Sequence, residues 1–201
     1  AAAPRWVTIG EVEAFLREKQ RWILQKLAEA PLGAPRRFAW GAGARLPILD
    51  GEVVITPDAS VRRVVRVDDH LHVPAAADTV DAMRAAVLPW IRLAGHAHFV
   101  ARVAQLAPMI DVAPPMLALS NARTQWGSCS IGHDKRVRIR LHWKLLLLPS
   151  WLGDYVVAHE LAHVREMNHS ARFWRTVAVM VPDYANARRA LRDETRILPD
   201  L

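Results

Sequence analysis

His159 and His163 stand four positions apart with Glu160 between them, inside the apolar run Tyr155-Val156-Val157-Ala158 and Leu161-Ala162. On an α-helix, positions four apart share one face, so the two imidazoles can converge on a single tetrahedral metal. Glu160 comes next round the helix, where it can hydrogen-bond a water held at such a metal and take its proton. The competing reading is two satisfied histidines and a surface glutamate on an ordinary amphipathic helix. The flanks argue against it. Val157, Leu161 and Val164 recur at core-facing spacing, and the segment is apolar or small almost all round, so it is expected to be buried. A buried carboxylate without a partner is costly, whereas a metal and its water satisfy both histidines and the glutamate together.

A catalytic zinc site takes three protein ligands and keeps one position open for water. His169 is the expected third donor. It follows a helix stop expected at Asn168 in left-handed geometry, its tether to His163 is short and costs little closure entropy, and Ser170 as the cap of the next helix fixes its direction. Asp183 and Glu194 are the alternatives. The expected cofactor is therefore one zinc ion per chain, with Glu160 as the catalytic base.

The elements around this helix can be read from pattern. Thr8 and Glu11 match a capping box, and Val12, Phe15, Leu16, Trp22 and Ile23 carry a helical period to about residue 29, before Pro31. Phe38–Trp40, Arg45–Leu49, Glu52–Ile55, Val61–Val67 and His70–Val73 read as short strands of a small antiparallel sheet, with Asp50-Gly51 and Asp68-Asp69 as turns. A helix follows from Asp78 or Thr79 to about Ala107, with a kink expected at Pro89. Met116–Leu119 and Arg123–Ser130 come next. Val137, Ile139, Leu141 and Trp143 then alternate with Arg136, Arg138 and Arg140, which predicts a hairpin with one wet side. The motif helix is expected from Pro149-Ser150, with Asp154 near its positive end. A further helix carries Phe173 to Met180, and a basic one runs from Tyr184 to Ile197.

The whole reads as a single α+β domain over residues 1–201. Residues 1–77 form a helix and small sheet, and residues 78–201 a catalytic core in which the motif helix packs under an antiparallel sheet. At 201 residues and 52% hydrophobic content the chain has ample material for a core. The longest apolar stretch, from Ala85 to Ile110, is broken by Pro89 and several charged or polar residues, so no membrane span is expected. No signal peptide is visible. The lone Cys129 excludes an internal disulfide framework and fits a reducing, cytoplasmic setting. The net charge of +7 is mostly arginine scattered in ones and twos, which gives nucleic-acid binding only weak support.

Together, Arg123-Thr124-Gln125-Trp126-Gly127-Ser128-Cys129-Ser130, Tyr155 to His163, Asn168-His169-Ser170, Phe173-Trp174 and Pro182-Asp183-Tyr184 resemble the YgjP-like metallopeptidases, relatives of the SprT and WLM zinc peptidases. The resemblance extends over most of the chain. It implies a zincin-like fold, zinc on His159, His163 and His169, Glu160 as general base, a peptide or protein substrate, and a cleft bordered by the Arg123 to Ser130 strand. His142 stands where the family pattern leads one to expect asparagine.

Arg123, Trp126 and Ser128 are the candidate substrate-binding residues, against core packing for Trp126 and backbone bonding for Ser128. Cys129 as a nucleophile competes with a small strand residue near the cleft. His70 and His72 share a strand face, which permits metal binding but suits a polar hairpin face better. His96 and His98 point different ways on their helix. Tyr155 and Tyr184 are packing residues in the plainer reading and catalytic helpers in the sharper one. Two other functions compete with the peptidase reading: a DNA-associated protease module of the SprT and WLM kind, and a metal-dependent nucleotide phosphohydrolase. The second lacks a glycine-rich phosphate loop.

Overall fold

The computed structural model describes residues 8–28, 38–122 and 124–197. Contacts divide the chain into two units, Ala1–Arg36 and Arg37–Leu201. The first contains helix α1 (Ile9–Ala28). Its start is the predicted capping box: Thr8 N–H donates to Glu11 Oε2 at 2.8 Å and Glu11 N–H donates to Thr8 Oγ1 at 3.3 Å. Donors that the first turn leaves unpaired are thereby satisfied.

The second unit opens with strands β1 (Arg45–Ile48), β2 (Gly51–Asp58), β3 (Val65–Val67) and β4 (His70–Pro74), which form one sheet in the order β1-β2-β4-β3. Alternate residues Leu46, Ile48, Val53, Ile55, Leu71 and Val73 are buried. They pack against Met83, Val87 and Ile91 of helix α2 (Val80–Leu106). Thr79 caps α2 by accepting from Ala82 N–H at 3.2 Å, and Pro89 lies inside this one continuous helix.

Several local expectations need correction. Phe38–Trp40 is not a strand; its two aromatic rings meet edge to face and sit against the sheet's core. The strand expected over Val61–Val67 shortens to β3. The β1–β2 turn is Leu49-Asp50, with Leu49 at φ 54°, one residue earlier than the Asp50-Gly51 turn that composition favours. The sheet is also mixed. β3 and β4 form the antiparallel hairpin about Asp68-Asp69, but β4 lies beside β2 and runs parallel to it. A chain that goes out to the sheet edge and returns into the gap must re-enter in its original direction.

The second sheet repeats this arrangement. Strands β5 (Met116–Ser120), β6 (Gly127–Ile131) and β7 (Val137–His142) lie in the order β5-β7-β6, with β6–β7 the predicted hairpin and β5–β7 parallel. The α+β class holds, and one strand direction in each sheet differs from the antiparallel expectation. On β7, Ile139 and Leu141 are fully buried while Arg140 is exposed, which is the predicted wet face.

The buried faces of the second sheet and of α2 enclose helix α3 (Ser150–Ala162), with α4 (Ala171–Met180) and α5 (Tyr184–Ile197) completing the same core. As expected from its apolar surround, α3 buries residues on nearly every side, Leu152, Tyr155, Val157, Glu160 and Leu161 among them. Its start has no side-chain cap from Pro149; instead Ser150 N–H donates to Asp50 Oδ1 at 2.8 Å. Leu49 N–H donates to the Leu146 carbonyl at 2.8 Å beside it. The turn between β1 and β2 thus supplies the missing cap of the motif helix.

Asp154, expected to act on the helix dipole, is engaged by α2: Arg102 Nε donates to Oδ1 at 2.6 Å and Nη2 to Oδ2 at 2.8 Å. This two-pronged pair is largely shielded from solvent. Asp154→Ala is expected to lower unfolding free energy by about 1–3 kcal/mol, because it leaves a partly desolvated guanidinium with the Gln105 amide oxygen but no carboxylate. Urea titration of both proteins checks this, and a change below about 0.3 kcal/mol would show that the pair only decorates the surface. Among the described residues, no helix is long and apolar enough to cross a membrane.

Candidate metal centre

Helix α3 presents His159 and Glu160 in its last turn. His163 is the residue that caps it, still in right-handed helical geometry at φ −65° and ψ −19°, so the four-residue spacing survives to the end. The helix stops earlier than the Asn168 expected from sequence, and Asn168 is not left-handed. Val164 N–H donates to the Leu161 carbonyl, and Arg165 and Glu166 N–H both donate to the Ala162 carbonyl, tightening the chain into turns. Asn168 instead accepts from Ser170 N–H at 3.2 Å, and Ser170 Oγ accepts from Phe173 N–H at 3.3 Å, which is the predicted cap of α4. These two local bonds orient the segment that bears His169.

The turn brings His169 back to the helix. One ligand atom from each of His159, His163 and His169 lies within 4.8 Å of the others. His159 Nε2 and His169 Nε2 are 3.1 Å apart. Of the rival donors, Asp183 is not in the group, and the side chain of Glu194 lies outside the described residues.

The protonation states suit a cation. Burial, reinforced by the neighbouring His163, His169 and Arg188, pushes His159 down to about 4, and burial also lowers His163. His159 is therefore a neutral ligand at neutral pH. His163 Nδ1 is 3.1 Å from the Glu166 carbonyl, which can only accept, so this nitrogen carries the proton and Nε2 keeps its lone pair. His159 Nδ1 is buried with no hydrogen-bond partner among the described residues. A neutral ring protonated there leaves Nε2 as a lone pair facing His169. Two imidazole nitrogens aimed at each other at this distance, with a third beside them, form a donor set that one divalent cation satisfies.

Glu160 is 5% exposed, and burial pushes its carboxyl up to about 7. Its carboxylate abuts Gly127 at the head of β6. Cys129, two residues on along the same face, is pushed up to about 11 by burial and by the nearby Glu160. At neutral pH it is a thiol packed against the core, so the nucleophile reading loses its chemistry. Ser128 pairs with Arg140 and points to the opposite sheet face from Gly127. Trp126 meets His142 edge to face with ring centroids 5.4 Å apart and packs on the core beside the hairpin. Arg123 lies outside the described residues.

Other histidines are used elsewhere. His72 Nδ1 is 2.9 Å from Asp58 Oδ2 and His70 Nδ1 is 2.9 Å from Thr56 Oγ1, so the polar-face reading describes both. His96 Nε2 is 3.3 Å from the Leu117 carbonyl. His142 caps the 3₁₀ turn Trp143–Leu147 by accepting from Lys144 N–H at 3.1 Å.

The aromatic floor was not evident from sequence. The fully buried Phe173 ring lies 4.6 to 4.9 Å from the His159, His163 and His169 rings, centroid to centroid. Trp174 borders His159 and His169, Tyr184 stacks on Trp174 at 5.1 Å, and the Arg188 guanidinium lies 5.1 Å from the centre of the same indole. The available signal was the position of Phe173 and Trp174 in the first turn after the Ser170 cap, which sets them beside whatever His169 approaches.

Three convergent imidazoles, two of them on a helix end that also carries a buried glutamate, are the donor set that a metal-dependent hydrolase uses. The chain belongs to the YgjP-like family, whose metallopeptidase domain model matches residues 1–194. By family it is a metal-dependent peptidase, with peptides or proteins as its class of substrate. Among solved structures, the metallopeptidase zymogen abylysin of Pyrococcus abyssi is similar at 18% identity and a TM-score of 0.44, covering 51% of this chain and 99% of its own. No curated protein matches the chain.

Proposed function

We propose that this chain is a zinc peptidase in which His159, His163 and His169 hold one ion and Glu160 is the general base. The observation that carries the reading is the meeting of the three ligand atoms within 4.8 Å of one another, beside a carboxylate on the same helix. A zinc ion, when bound, supplies Lewis-acid polarisation of the scissile carbonyl and acidifies water. Glu160 takes the proton of the attacking water and returns it to the departing amine. Burial raises this carboxyl to about 7 in the metal-free protein, and the charge of a bound cation would draw it back down toward a working base at neutral pH.

The substrate track follows from the sheet. β6 lies at the edge of the order β5-β7-β6, so the backbone groups it does not share with β7 can pair with an extended peptide next to Glu160. Trp126 at the head of that strand, Ser128 within it and Arg123 ahead of it are the proposed substrate contacts, Ser128 through its backbone. A cytoplasmic location is proposed on the lone cysteine.

Arg188 is the cation whose charge reaches His159, and its guanidinium lies over the Trp174 indole. Arg165 faces Asp111 at 3.7 Å and Arg172 faces Glu166 at 3.8 Å, so these guanidinium groups already have carboxylates beside them. The test compares hydrolysis of fluorescein-labelled casein with hydrolysis of ATP, each before chelation, after it and after zinc is returned. Casein cleavage that chelation abolishes and zinc restores is the expected result. Chelator-sensitive ATP hydrolysis with casein left intact would overturn the peptidase reading. Retention on duplex DNA that weakens steeply with salt would instead favour the DNA-associated module.

A further inference from the structure

Gly127 is not in a turn and does not need a left-handed backbone. It is the first residue of β6, paired with Leu141, and its φ is outside the positive range that favours glycine. In a strand, glycine gives up side-chain packing and backbone order, so alanine would suit the local conformation better. The space around it explains the glycine. A Cβ built at position 127 would lie 2.5 Å from Glu160 Oε1, 2.8 Å from Cγ and 2.9 Å from Cδ.

Those distances are too short for real contacts, and the Glu160 side chain cannot easily withdraw. The clash involves Cγ as well as the carboxylate tip, so relief requires a change at χ1 or χ2 of a residue on a helix, where few rotamers are open. Glu160 is also enclosed: it is 5% exposed, on a helix whose Val156, Val157 and Leu161 are buried around it. The carboxylate therefore rests in a recess that exists only because position 127 lacks a side chain.

We propose that Gly127 is a positioning residue for the general base: the bare Cα of β6 fixes where the Glu160 carboxylate lies beside the metal ligands. This rests on the reading of Glu160 as the base. The strand that is proposed to take the substrate is then also the strand that sets the base, so β6 positions both the peptide and the proton acceptor carried by α3.

The experiment is a pair of double-mutant cycles on the full chain. In the first, Gly127→Ala is made in the wild-type and the Glu160→Ala backgrounds, and thermal unfolding is followed without added metal. Gly127→Ala alone is expected to lower the melting temperature by about 5 °C, as overpacking does, and to have no such cost once Glu160→Ala has emptied the recess. An equal cost in both backgrounds would place the clash elsewhere and overturn the proposal. This readout stands even if Gly127→Ala folds poorly, because recovery by Glu160→Ala is itself the expected result.

The second cycle reads cleavage of labelled casein in zinc-loaded protein. Gly127→Ala is expected to lower kcat at least about 10-fold with KM and zinc content held, and to add no loss in a Glu160→Gln background. Additive losses, or a change confined to KM, would mean that position 127 acts on substrate rather than through Glu160. If Glu160→Gln itself left activity intact, the general-base assignment would fall, whereas the thermal cycle would still report whether Gly127 makes room for that side chain.

Discussion

Glu160→Gln is expected to lower peptide hydrolysis by about 10²–10⁴-fold while zinc content stays at about one ion per chain. The amide has nearly the shape of the carboxylate, so it fits the recess against Gly127 and keeps the helix packing that buries position 160. What it loses is the ability to accept a proton. The three histidines are untouched, and metal content should be indifferent to the change. Parallel measurement of zinc by elemental analysis and of casein cleavage by fluorescence separates the two properties. Full activity in the glutamine variant would end the general-base assignment, and loss of zinc together with activity would make Glu160 a structural neighbour of the ligands instead.

For His169→Ala the loss should appear in the metal. Removing one of three ligands is expected to weaken zinc binding by at least about 10²-fold, more than loss of a residue that only supports a ligand. At a fixed free zinc concentration that saturates both proteins, a 10²-fold weaker site forfeits about 2.7 kcal/mol of metal-linked stabilisation. The metal-free proteins should differ little, because His169 is exposed and its turn is set by Asn168 and Ser170. Competition against a chromogenic chelator gives the affinity, and unfolding with and without zinc gives the linkage. Undiminished affinity in the alanine variant would reject the three-histidine site and return attention to a carboxylate such as Asp183.

The pairing of His159 with His163 and the caps at Thr8 and Ser170 were legible because each depends on residues within one helical turn of one another. His169 was legible for a related reason: a short tether leaves few places for its ring to go. The helix stop was misread because asparagine in left-handed geometry is only one way to end a helix, and here the turn at His163 to Arg165 closes first. The strand directions were misread because alternation reports which face is buried but not which neighbour a strand pairs with.

By itself, the sequence determined the helix that carries two histidines and a glutamate, the third histidine that follows it, and the burial of that helix. Those are consequences of helical period and local turn chemistry. Only the tertiary structure decided that Asp50 caps the motif helix from the far end of the chain, that Phe173 floors the three imidazoles, and that Glu160 lies in a recess left by Gly127. Each of these contacts joins residues from separate elements, and their meeting depends on how sheets and helices pack, which no local pattern records.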